Sequence, residues 1–123
     1  LNPLNSIVLN NYAYYLSLRS EDLDKAKQMA EKSVEIDPYN SNNLDTYAWV
    51  LYKLQDYKSA LEWIEKAYNN SGSSSGVVLE HYGDILFKLS KEDEALKYWK
   101  LARQENEYSK LLDKKIQDKK LYE

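Results

Sequence analysis

One five-residue pattern recurs along this chain at a fixed interval. Leu9-Asn10-Asn11-Tyr12-Ala13 returns as Leu44-Asp45-Thr46-Tyr47-Ala48 and again as Leu79-Glu80-His81-Tyr82-Gly83, 35 residues apart each time. A second series, Ala26, Ala60 and Ala95, and a third, Ser33, Ala67 and Ala102, are each spaced by 34 and then 35 residues. Three independent markers on one period restrict the chain to an array of like units. A unit this short cannot bury its own apolar face, so it must stack on its neighbours.

Within each unit the apolar residues keep a helical period. Leu44, Tyr47, Ala48 and Leu51 share one helix face, as do Leu61, Ile64, Ala67 and Tyr68. The intervening Gln55-Asp56 leaves room only for a tight turn, so each unit reads as a helical hairpin. The predicted helices run over 6–18 and 21–36, 41–54 and 57–70, and 76–89 and 92–105. With 3 glycines and 2 prolines in 123 residues, little interrupts such helices. Asp37-Pro38 closes the first hairpin, because a proline disfavours helical geometry in the residue before it. Ser90 followed by Asp93 has the form of a capping box opening the sixth helix. The polar run 69–76 is expected to be the most flexible segment inside the fold. Ala13, Ala48 and Gly83 on the first helices, and Ala26, Ala60 and Ala95 on the second, are placed where helix axes cross closely. Tyr12, Tyr47 and Tyr82 are large residues that fill the space beside them.

The pattern resembles the tetratricopeptide repeat: a large residue, a second large one three positions on, then a small one, with later alanines and a closing proline at Pro38. Unit two carries Gly72 and unit three Glu107 at the closing position. Leu9, Leu44 and Leu79 stand where the family usually has tryptophan, and unit one has one extra residue in its internal turn. The resemblance implies an all-α fold, an α-solenoid with a right-handed superhelix built from three antiparallel hairpins. The repeats cover about 6–40, 41–74 and 76–109, within a single domain of residues 1–123. A capping helix over about 109–121 is expected to turn Leu112 and Ile116 inward and its lysines to water. Asn2-Pro3 has the look of Asp37-Pro38, so another repeat is expected upstream, which makes this the C-terminal part of a longer protein.

The same resemblance implies a function. In this family the first helix of each hairpin lines a concave groove, which here would present Asn10, Tyr14 and Ser17, then Asp45, Trp49 and Tyr52, then Glu80, Asp84 and Phe87. Aromatics beside carboxylates suit capture of a protein or peptide segment, with a basic or aromatic stretch favoured. Asn10, Asp45, Glu80 and Asp84 would repel a C-terminal carboxylate, and Asn11 alone does not offset them. The reading is thus a non-catalytic protein–protein interaction module, a scaffold or adaptor. Two alternatives stand beside it: an RNA-binding helical repeat, and a structural spacer that self-associates through its exposed N-terminal end.

Charge and composition bear on these classes. The net charge is −3, yet residues 110–123 hold five lysines against Asp113, Asp118 and Glu123, so the body is more acidic than the total suggests. An acidic body argues against a phosphate backbone, and the terminal lysines read as a solvated helix face. There is no cysteine, which removes disulfides and thiolate metal sites. No glycine-rich phosphate loop is present, and no apolar run is long enough to insert in a membrane. His81 is the one histidine, so no catalytic residues are assigned. His81, Glu80 and Asp84 have a spacing that a divalent metal could use, but metal sites normally draw more ligands than this one helix segment shows, so His81 is read as a satisfied or surface residue and no metal or cofactor is assigned.

Overall fold

The computed structural model describes residues 5–123; the Asn2-Pro3 reading lies outside them. Six helices form three hairpins: α1 (Ser6–Arg19) with α2 (Leu23–Ile36), α3 (Ser41–Lys53) with α4 (Tyr57–Asn69), and α5 (Gly76–Lys88) with α6 (Glu92–Arg103). A short α7 (Leu112–Asp118) follows, and no strand occurs among the described residues. The hairpins stack in order, forming the α-solenoid that the period demands.

Local chemistry sets the helix ends. The first helix of each hairpin opens on a capping side chain, and these caps are themselves 35 residues apart. Asn5 accepts from the Ile7 and Val8 amides, Asn40 from Asn43, and Ser75 from Val78. Each occupies at least one of the amides that a helix start leaves without a partner. The same helices close on one repeated turn. Glu21 N–H donates to the Leu16 carbonyl (3.0 Å), Asp56 to Leu51 (2.9 Å) and Lys91 to Leu86 (2.9 Å), around Ser20, Gln55 and Ser90 in the left-handed region. Ser90 therefore ends α5 and does not open α6, whose N-terminal flanking residue Lys91 makes no side-chain cap. The expected capping box fails because the tight turn needs that residue at φ 64°, outside the extended geometry of an N-cap. The extra residue of unit one is Asp22, which also takes a positive φ of 44°.

Packing follows the large–small pattern. Ala13, Ala48, Ala26, Ala60 and Ala95 are wholly buried, and Gly83 lies against the Trp99 indole. Tyr82 stacks on Tyr98 at 4.1 Å and meets Tyr68 edge-on, while Tyr47 meets the edge of Trp63. Tyr12 is the exception, exposed with Val8 and Tyr15 on the outer side of α1. The counterparts of Val8 and Tyr15 in the later units, Asn43, Val50, Val78 and Ile85, are buried.

Two expectations need correction. The polar run after α4 is built into the fold: Gly72–Ser74 is a 3-10 turn, Gly72 is buried, and a Cβ on Gly76 would stand 2.5 Å from the Asn106 carbonyl oxygen. The terminal helix is shorter than 109–121, and Lys119 at φ 55° ends it. Leu112 is buried as expected, but Lys115 shares its face and is buried too, so the lysines do not all face water.

Candidate functional site

The first helices of the hairpins line an inner groove, and the segment around α7 forms its other wall. Three adjoining hollows run along it, of about 240, 330 and 220 Å³, and Tyr14 lines all three. Asparagines Asn10, Asn11 and Asn42 border the first, Val77, His81 and Tyr108 the second, and Leu18, Trp49, Lys53 and Leu111 the third.

The nine residues assigned to the groove divide by burial and direction. Asn10, Tyr14, Asp45, Trp49, Glu80 and Asp84 line these hollows. Ser17, Tyr52 and Phe87 line none of the three. Ser17 is buried, its hydroxyl donating to the Tyr14 carbonyl at 2.6 Å. Phe87 stacks on Trp99 at 5.8 Å. Tyr52 is 2% exposed, and its ring stacks on Trp49 at 4.4 Å. His81 covers the other face of Trp49 at 3.8 Å, so three rings stand in one stack.

The three groove carboxylates are already partnered. Lys115 reaches in from α7 to place its Nζ 2.7 Å from Glu80 and 2.9 Å from Asp84. Glu80 also accepts from the Ser109 amide and hydroxyl, and Asp84 from the Trp99 indole at 3.0 Å. Asp45 lies 2.8 Å from His81 Nδ1. Charges this deep are tolerated only when paired and hydrogen-bonded. Burial pushes the Glu80 carboxyl up, but the Lys115 ammonium and the Ser109 donors outweigh it and hold it below the usual carboxylate range. Asp84, more deeply buried, is pushed up to about 6 despite the same ammonium. Burial opposes a charged His81, yet contact with Asp45 keeps its pKa above the ordinary value. A divalent ion at Glu80 and Asp84 would have to displace Lys115.

Two buried polar atoms of groove-lining residues have no partner among the described residues: the Asn10 side-chain oxygen and the Trp49 indole nitrogen. Sequence reasoning placed both residues here but could not show that their polar atoms are unpaired. It missed Lys115, although helix geometry carries the signal, since Lys115 follows Leu112 by three positions and so lies on the buried face.

A family model described as anaphase-promoting complex, cyclosome, subunit 3 matches residues 19–100. The chain belongs to this family of tetratricopeptide-repeat proteins. Solved tetratricopeptide structures share its shape. The first tetratricopeptide domain of human RPAP3 is 19% identical, with a TM-score of 0.83 over 96% of this chain and 91% of that one. The first such domain of Spaghetti, solved with the HSP90 peptide SRMEEVD, is 18% identical, with a TM-score of 0.81 over 97% and 93%. YrrB, described as a tetratricopeptide protein with an unusual peptide-binding site, is 27% identical, with a TM-score of 0.72 over 85% of this chain and 53% of that one. No curated protein matches the chain by sequence. No described helix of this tetratricopeptide chain is long and apolar enough to cross a membrane.

Proposed function

We propose that this chain is a non-catalytic protein-interaction module that holds an extended peptide segment in the groove between α1, α3 and residues 107–111. The family and fold support interaction as the role. The observation that carries the peptide reading is the pair of unpartnered polar atoms, an acceptor on Asn10 and a donor on Trp49. Buried polar atoms are nearly always satisfied, and an extended backbone brings N–H and carbonyl groups that answer both. Tyr14, between the two, offers an aromatic wall to the segment's side chains. A basic segment is not favoured by Asp45, Glu80 and Asp84, because each is already held within the fold, Asp45 by His81 and the other two by Lys115.

Selection of a random linear-peptide library on the intact chain tests this. Enriched peptides are expected to lose at least about tenfold in affinity against Tyr14→Ala and against Asn10→Ala, the range of one central contact. A library that yields no binder, or binders indifferent to both substitutions, overturns the reading.

The outer side of α1 favours a second reading, assembly through this end. Val8, Tyr12 and Tyr15 are each more than 40% exposed there, and a contiguous exposed apolar patch marks an interaction surface. Light scattering over a concentration series decides it: association abolished by Tyr15→Glu supports assembly, and a monomer at every concentration removes it.

A further inference from the structure

The third hollow of the groove is shared with the chain's own last residues. Tyr122 and Glu123 line it together with Trp49 and Lys53. The Glu123 carboxylate accepts a 2.8 Å hydrogen bond from the Tyr52 hydroxyl and lies 3.4 Å from Lys88 Nζ. Tyr52 is otherwise enclosed, and this is the one bond its hydroxyl makes among the described residues. Lys53, in the last turn of α3, adds a second positive charge on the same wall. A buried hydroxyl and one ammonium on the same carboxylate, with a second ammonium on the same wall, make a receptor for an acidic side chain. Glu123 fills it loosely, since half of its side chain remains exposed.

We infer that this end of the groove, between α3 and α5, is a subsite for a glutamate or aspartate side chain in an extended partner segment. In the free chain Glu123 occupies the subsite, and an acidic partner competes with residues 119–123 for it. This rests on the peptide-binding reading and adds to it the charge of the partner and a competitor held within the chain. A tethered segment acts at an effective concentration in the millimolar range, so a weak internal contact suffices to raise the threshold for a partner.

The probe is a blocked peptide, acetylated and amidated, with the sequence Lys-Lys-Leu-Tyr-Glu of residues 119–123. It is titrated into the ¹⁵N-labelled intact chain and into a Tyr122→Ala/Glu123→Ala variant, following the Trp49 indole signal. Both replaced side chains stand at the surface rim, and an unchanged amide spectrum checks the fold; Glu123→Gln alone serves if the double variant is perturbed. The signal is expected to move saturably in the variant, and the intact chain should need at least about tenfold more peptide. A peptide ending in Gln should bind at least about tenfold more weakly, as loss of a charge-assisted bond predicts. No saturable movement in the variant, equal response of the two chains, or equal binding of the Gln peptide each overturns the proposal. Library peptides that depend on Asn10 and Tyr14 but carry no acid and ignore Glu123 would leave the groove reading standing while removing this one.

Discussion

Lys115 shows how far one side chain can organise the interior of a repeat stack. Its ammonium is enclosed between Glu80 and Asp84, and removing one partner of such a group leaves charge without compensation. Lys115→Met is expected to destabilise the chain by about 3–5 kcal/mol, measured by urea unfolding. At the tightest crossing, Gly83→Ala would put a methyl 2.5 Å from Trp99 Nε1 and 3.0 Å from the Ala95 carbonyl oxygen; a loss of about 1–3 kcal/mol is expected in the same assay. Titration of the buried groups gives stability a direction with pH. His81 binds its proton more tightly folded than unfolded, so its contribution is complete below the ordinary value of 6.5 and is lost as pH rises through the folded value. Asp84, raised from 3.8 to about 6, loses its contribution across that lower interval in the same sense. Glu80, held below 4.5, works oppositely, and its contribution disappears in acid. The melting temperature should therefore fall as pH rises above about 6.5. Asp45→Asn should flatten that fall, and a slope unchanged in the variant would exclude the His81–Asp45 pair as its cause.

At the scale of helices and turns, the left-handed positions Gln55 and Ser90 close α3 and α5 with side chains that disfavour that conformation. Gln55→Gly and Ser90→Gly should each raise stability by up to about 1 kcal/mol in thermal melts, since glycine adopts the same geometry without strain. Leu112 fixes α7 to the body and is fully buried, so Leu112→Ala should cost about 2–5 kcal/mol. All six hairpin helices were legible in the sequence because apolar spacing and small-residue series report burial directly. The ends were less so: Ser90 fits two local motifs, and only the tight turn chooses between them. Trp49, Glu80 and Asp84 line the hollows described above. Their partners were not visible, because Lys115 lies 35 and 31 residues away from the two acids it meets and local pattern says nothing about such contacts.

For the molecule as a whole, the stack has two unlike ends. One presents the apolar outer side of α1, and the other is closed by α7 with Asp113, Lys114 and Gln117 turned to water. That closing helix is only 7 residues long, yet it carries the cation that compensates two acids of the inner wall. Fraying of so short an element would bare Glu80 and Asp84 to the groove and turn a balanced lining into an attractor for positive ligands. The electrical character of the inner surface is thus conditional, set by whether the last two turns of helix are docked or adrift.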